Sequence, residues 1–270
     1  MGELSGAESV PLMVADPQPL RILFFDIETA PMRAYIWSPK QDYIPHNQVI
    51  SDSFMLCWAA KWNDGSKVMS AKLTPEEVAE ADDSRIAAAL ADLVREADLV
   101  CAHNGDRFDV PRLNARLLMN GLEPVPPVES LDTLKLAKKS IGVAHYNLDA
   151  LARALGLGTK IKTDFDLWLK VLEGSEVAMQ QMTRYCRNDV VLLEKVFERL
   201  RPYARGLRRL TGGGEGAFCP YCGSREFERR GTRHNSAGSQ QRFHCLNDEC
   251  GRYFHHKTSD AGKREMRPTP

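Results

Sequence analysis

Residues 22–28 read Ile-Leu-Phe-Phe-Asp-Ile-Glu, a nearly continuous apolar run that closes on two acids one residue apart. A strand turns successive side chains to opposite faces, so Asp26 and Glu28 continue the face begun by Ile22 and Phe24. Two close carboxylates repel each other and lose hydration when buried, at a cost of roughly several kcal/mol per ion. A strand end emerging into solvent removes that cost; a divalent cation compensates it. The same conflict recurs later in the chain, where Met182, Cys186, Asp189, Leu193, Val196 and Leu200 fall three and four apart, one helical stripe that Asp189 interrupts. Tyr185 lies four residues before Asp189 on the same side of that helix, within reach of whatever Asp189 binds. A third acid, Asp109, follows His103-Asn104-Gly105 in the first turn of an expected helix, where its charge also complements the helix N-terminus. Oxygen-rich acidic clusters suit Mg²⁺ or Mn²⁺, and two such ions about 3.5 to 4 Å apart form the usual clamp on a phosphodiester.

A second chemistry lies near the C-terminus. Cys57, Cys101 and Cys186 are scattered among apolar residues, whereas Cys219, Cys222, Cys245 and Cys250 lie close together. Cys219-Pro-Tyr-Cys222-Gly223 points two thiolates at one ion, and Cys245 with Cys250 closes a tetrahedral Zn²⁺ site. The second pair is spaced Cys-x-x-x-x-Cys, which leaves His244 or His255 as substitutes for Cys250. A module this short cannot bury a stable core alone, so zinc would supply folding free energy on the order of 10 kcal/mol. Arg225, Arg229, Arg230, Arg233 and Arg242 alternate with Phe227, Phe243, Tyr253 and Phe254, a composition suited to single-stranded nucleic acid. Docking to a protein is the alternative for the same module.

The elements that must position these residues follow from pattern. The 270 residues are 43% hydrophobic and 27% charged, which excludes wholesale disorder, and the longest apolar run, 54–60, is far too short to span a bilayer. Residues 1–16 are acidic, without the Lys or Arg of an export signal, which predicts a cytoplasmic protein. Strands are expected over 22–28, 53–62, 67–72 and 99–102, the middle two joined at Asp64-Gly65 as a hairpin. Helices are expected over 84–96, from an Asp106 cap to 119, and over 147–155, 164–172 and 175–200. This order predicts an α/β fold with a mixed sheet flanked by helices. Residues 201–270 carry 14 Lys+Arg against 7 Asp+Glu, and the rest 22 against 29, so an acidic body precedes a basic tail. The expected organisation is a disordered leader over 1–19, a first domain over 20–205, a linker over 206–216 around Gly212-Gly213-Gly214, a zinc-bound module over 217–258 and a disordered tail over 259–270.

Asp26-x-Glu28 on the first strand, His103-Asn104-Gly105 with Asp109, and Tyr185-x-x-x-Asp189 on a late helix together resemble, in order and spacing, the DEDD superfamily of 3′-to-5′ exonucleases. Those enzymes have the ribonuclease H-like fold of proofreading exonucleases. The chain is similar to the Tyr-containing subclass; the other subclass has a His five residues before the last Asp, where this chain has Arg184. The resemblance covers roughly residues 20–205, and the C-terminal module resembles a zinc ribbon. It implies that Asp26 and Asp189 hold the metal that activates water, that Glu28 helps hold it, and that Asp109 reaches a second metal. Tyr185 would orient the attacking water. Thr29 and Asn104 are weaker candidates for substrate contact, and Asp132 is either a fifth acid or, preferably, a helix cap. Lys135, Lys138, Lys139, Lys160 and Lys162 either track a phosphate backbone or form a solvated face. The expected activity is hydrolysis of single-stranded DNA from its 3′ end with two Mg²⁺ or Mn²⁺ ions. An exoribonuclease and a non-catalytic nucleic-acid-binding adaptor are the alternatives.

Overall fold

The structure is a computed structural model that describes residues 20–204, 224, 226–235, 238–248 and 250–256. The described residues fall into two compact units, one within Arg21–Gly206 and one within Met1–Leu20 and Leu207–Pro270. The expected leader, glycine linker and tail, together with Cys219 and Cys222, lie outside the described residues.

The larger unit begins with β1 (Ile22–Thr29), followed by a short ribbon of β2 (Arg33–Ala34) and β3 (Val49–Ser51), then β4 (Met55–Trp62) and β5 (Val68–Lys72). It continues through α1 (Pro75–Glu80), α2 (Ser84–Arg95), β6 (Leu99–Ala102), α3 (Asp109–Met119), β7 (Glu129–Asp132) and α4 (Thr133–Ser140). The last elements are α5 (Leu148–Ala154), α6 (Phe165–Leu172) and α7 (Glu176–Leu200). The main sheet runs β5-β4-β1-β6-β7, antiparallel on the β4 side of β1 and parallel on the β6 side. This is the expected mixed sheet of a ribonuclease H-like α/β fold.

Sequestering apolar area from water explains which faces the helices cover. Leu23, Phe24, Phe25, Ile27 and the whole of β4 from Met55 to Ala60 are buried, as befits central strands covered on both sides. The helix α7 lies on the face carrying Phe24, Asp26 and Glu28: Phe24 meets Phe197 edge to face at 5.2 Å, and Lys61 pairs with Glu194. The helix α2 takes the other face, where the Trp58 indole donates to the Ile86 carbonyl at 2.8 Å. Every member of the expected α7 stripe is buried, Asp189 included.

Four elements were not legible from periodicity. The helix α1 is a single short stretch, but its capping box was available to read: Thr74 accepts from the Glu77 backbone while Glu77 reaches back to the Thr74 N–H, with Pro75 at the first turn. The strand β7 is polar and exists through parallel pairing with β6. The ribbon β2–β3 has no buried side chain to mark it. One expectation is corrected. Asp106 does not cap α3, which starts at Asp109 with no side-chain cap; Asp106 instead accepts from Ser130 Oγ at 2.6 Å and from Lys135 Nζ at 2.8 Å.

In the smaller unit β8 (Phe227–Asn235), β9 (Gly238–Cys245) and β10 (Tyr253–His256) form an antiparallel sheet ordered β10-β9-β8. The segment before Cys245 is thus a hairpin of β8 and β9. Phe227, Phe243 and Cys250 pack against buried Cys245, and the two phenylalanines, meeting edge to face at 5.4 Å, are half-buried. Tyr253 is half exposed with the Arg242 guanidinium 4.1 Å over its ring, and Arg229 and Arg230 are exposed. Among the described residues no helix is long and apolar enough to cross a membrane.

Candidate active site

The acids come together from three elements. On β1 the ligand atoms of Asp26 and Glu28 lie within 4.8 Å of each other and of the Cys186 sulfur on α7. Asp109, at the start of α3, accepts the Ile27 backbone N–H at 3.2 Å, which seats it against the strand between the other two. Asp189 lies one helical turn from Cys186, whose thiol donates to the Asp26 carbonyl at 3.3 Å and contacts its carboxylate at 3.6 Å. Asp109 and Asp189 are almost wholly buried, while Asp26 and Glu28 keep partial access to solvent.

Crowding shows in the electrostatics. Burial and then the charge of Asp189 push Asp26 up to about 7. Burial, with Asp26 beside each, holds Glu28 and Asp109 well above the usual carboxylate range. Burial raises Asp189 as well, against the pull of Lys160. Burial raises the Cys186 thiol, which donates to Asp26. The remaining set is carboxylate oxygen only, the donor set of hard divalent cations. Asp189 Oδ1 has no hydrogen-bond partner of good geometry among the described residues, which fits a group poised to hold a cation, while Oδ2 is ion-paired with Lys160.

Lys160 is the residue sequence reading misplaced. Grouped with exposed lysines by composition, it reaches from the α5–α6 loop to place Nζ 2.6 Å from Asp189 Oδ2 and donates to the Tyr185 hydroxyl at 2.9 Å. Burial opposes its charge, but Asp189 outweighs burial and holds the ammonium protonated beyond its ordinary range. Its backbone N–H donates to Asp149 Oδ1 at 2.8 Å, which pins the loop. No local pattern could have shown this, because the partners lie 25 and 29 residues away. Tyr185 is held neutral, chiefly by burial, and its ring meets Trp168 edge-on at 6.4 Å.

The turn before α3 is tightly determined. Asn104 adopts φ 70°, a left-handed conformation Asn tolerates, and a Cβ at Gly105 would fall 2.5 Å from the Ala102 Cβ. Asp132 acts as the expected cap: one oxygen accepts from the backbones of Asn104, Leu134 and Lys135. His103 is fixed between Thr133 Oγ1 and the Tyr146 carbonyl, both at 2.9 Å, and burial lowers it to about 4, so it is neutral. Thr29 lines a cavity of about 520 Å³ with Met32, Arg112, Phe165 and Trp168, and its carbonyl accepts from the Trp168 indole.

A family model described as the RNase_H superfamily matches residues 52–201. No curated protein matches the sequence. Among solved structures the fold is similar to a family B DNA polymerase from the hyperthermophilic archaeon Pyrobaculum calidifontis, at 20% identity and a TM-score of 0.52. That match covers 69% of this chain and 25% of the polymerase.

Proposed function

The chain belongs to the RNase_H superfamily, and from that premise we propose that it is a 3′-to-5′ exonuclease of the Tyr-containing DEDD type, releasing nucleoside 5′-monophosphates from single-stranded DNA. The observation that carries this reading is the convergence of Asp26, Glu28, Asp109 and Asp189 from three separate elements, with Tyr185 one turn before Asp189. A cluster of buried acids without a cation is costly, and a non-catalytic binding scaffold has no use for it.

Asp26, Glu28 and Asp189 would hold one divalent cation, and Asp109, held against β1 by the Ile27 N–H, would reach a second. Such cations supply a lowered pKa to the attacking water and positive charge to the phosphodiester. Tyr185, kept neutral, accepts from Lys160 and donates to Asp189, which sets its hydroxyl beside the acid where it would orient that water. Lys160 also balances Asp189 in the absence of other cations, which lets the cluster fold before it is loaded. DNA is the proposed polymer, with RNA as the alternative that contacts to the sugar 2′-OH decide.

The test uses 5′-end-labelled single- and double-stranded DNA and RNA with Mg²⁺ or Mn²⁺. A ladder of shortening 5′-labelled products from single-stranded DNA is expected, with protection by a 3′-terminal phosphate or inverted nucleotide. Immediate release of the labelled 5′ nucleotide would overturn the polarity, and intact substrate under all metals would overturn the activity.

For the smaller unit we infer a zinc ribbon closed by Cys219, Cys222, Cys245 and Cys250, supported by the packing of Cys250 on Cys245 in the described part. Elemental analysis should return about one zinc per chain, and Cys245→Ser should lose it. A protein free of zinc after purification without chelators would remove the assignment.

A further inference from the structure

Between β1 and β4 the chain leaves the sheet as an arm. Its root is closed by the Ala30 N–H donating to the Phe54 carbonyl at 2.8 Å and by Ser53 Oγ donating to the Ala30 carbonyl at 2.7 Å. The ribbon pairs Arg33 with Ser51 and Ala34 with Val49, and Tyr35 N–H donates to the Gln48 carbonyl at 2.9 Å. Its tip is folded around Gln41, whose side chain accepts from Trp37 N–H at 3.1 Å and donates to the Tyr43 carbonyl at 2.8 Å and to Gln48 Oε1 at 2.9 Å. The backbone is therefore well organised, yet no side chain from 31 to 52 is buried. Trp37 is 92% exposed, Tyr35 and Tyr43 are each 74% exposed, and Ile36 is 53% exposed. Large aromatics gathered on a structured projection that buries nothing do not serve its stability; such a patch marks a contact surface.

We propose that this arm is a stacking platform for the unpaired bases of a single-stranded nucleic acid leading into the acid site. The inference rests on the nuclease reading and names where its substrate lies. Position supports it: Thr29, Pro31, Met32 and Asp52 at the arm's root line the 520 Å³ cavity together with Trp168, whose indole donates to the Thr29 carbonyl and whose ring meets Tyr185. A strand whose end reaches Tyr185 would pass Trp168 and the cavity beside it on the way to the arm. Chemistry supports it too. Flat aromatic faces accept any base by its π-face, without sequence preference, and Arg33 and Lys40 are balanced by Asp42 and Asp52, so the arm holds bases more than phosphates.

The experiment measures binding of a fluorescently labelled, single-stranded 15-mer to the full-length protein without divalent cations, across a salt series. Trp37→Ala and Tyr35→Ala/Tyr43→Ala should each weaken binding about tenfold with the salt slope unchanged, because stacking and not counterion release is lost. Trp37→Phe should retain most of the affinity, and its comparison with the parent should show that oligonucleotide quenches Trp37 emission. Hydrolysis of the p-nitrophenyl ester of thymidine 5′-monophosphate, too short to reach the arm, should not change. Parental affinity in the alanine variants, with Trp37 unquenched, would overturn the platform while the parent's hydrolysis of the 15-mer keeps the nuclease reading. A parent that neither binds nor hydrolyses the 15-mer overturns both. Conversion of a dimer to monomers by Trp37→Ala, with affinity unchanged, would reassign the arm to a second copy of the chain.

Discussion

Asp26→Asn should lower hydrolysis of single-stranded DNA by roughly a thousandfold or more, the scale on which preorganised charge acts at a transition state. The substitution keeps the shape of the side chain and removes its charge. Asp26 is the acid most central to the cluster: it is adjacent to Glu28, faces Asp109 and is repelled by Asp189. A cation bound there would lose its shared ligand. The same change should not unfold the metal-free protein, because burial and Asp189 already disfavour a charged Asp26, and the amide relieves that repulsion. Thermal unfolding of parent and variant without added cation separates the two effects: an unchanged or higher midpoint with lost turnover is expected. Parental turnover in Asp26→Asn would remove the metal assignment.

Added Mg²⁺ should raise the unfolding midpoint far more at pH 8 than at pH 5. The carboxylates of Asp26, Glu28, Asp109 and Asp189 all titrate higher in the folded chain than in the unfolded one. From about pH 4 up through the raised folded values, about 7 for Asp26, the folded state therefore holds more protons, and the cluster's contribution to metal-free stability falls as pH rises through them. A cation must displace those protons, so its affinity falls as pH drops through the range in which Asp26, raised to about 7, takes up its proton. His103 works in the opposite direction. Its folded value of about 4 lies below the unfolded one, so its stabilisation is present above the unfolded value and is lost as pH falls toward the folded one. That effect is common to both scans and cancels in the Mg²⁺-induced shift, which is why the difference is the quantity to measure. Adding Mg²⁺ is preferable to chelation, which would also strip the proposed zinc. A shift equal at both pH values, or larger at pH 5, would contradict a site built from protonated acids.

What the sequence determined by itself was local and periodic. Alternation placed Asp26 and Glu28 on the face of β1 that α7 covers, the three-and-four spacing placed Asp189 on the buried stripe, and Asn147, Asp164 and Ser175 start helices that they cap by accepting backbone N–H groups. Such features are carried by neighbours within a turn or a strand, so composition and spacing suffice to read them. The tertiary structure alone decided the contacts that join distant segments. It brought Asp109 to the Ile27 backbone across 82 residues, put Lys160 against Asp189 and Tyr185, and gave the polar segment β7 a parallel partner. It also left the aromatics of the β2–β3 arm exposed, whereas their residue types would suggest a core. Each of these depends on where the packing of a different element leaves a side chain, and no periodicity within a segment encodes the position of its neighbour.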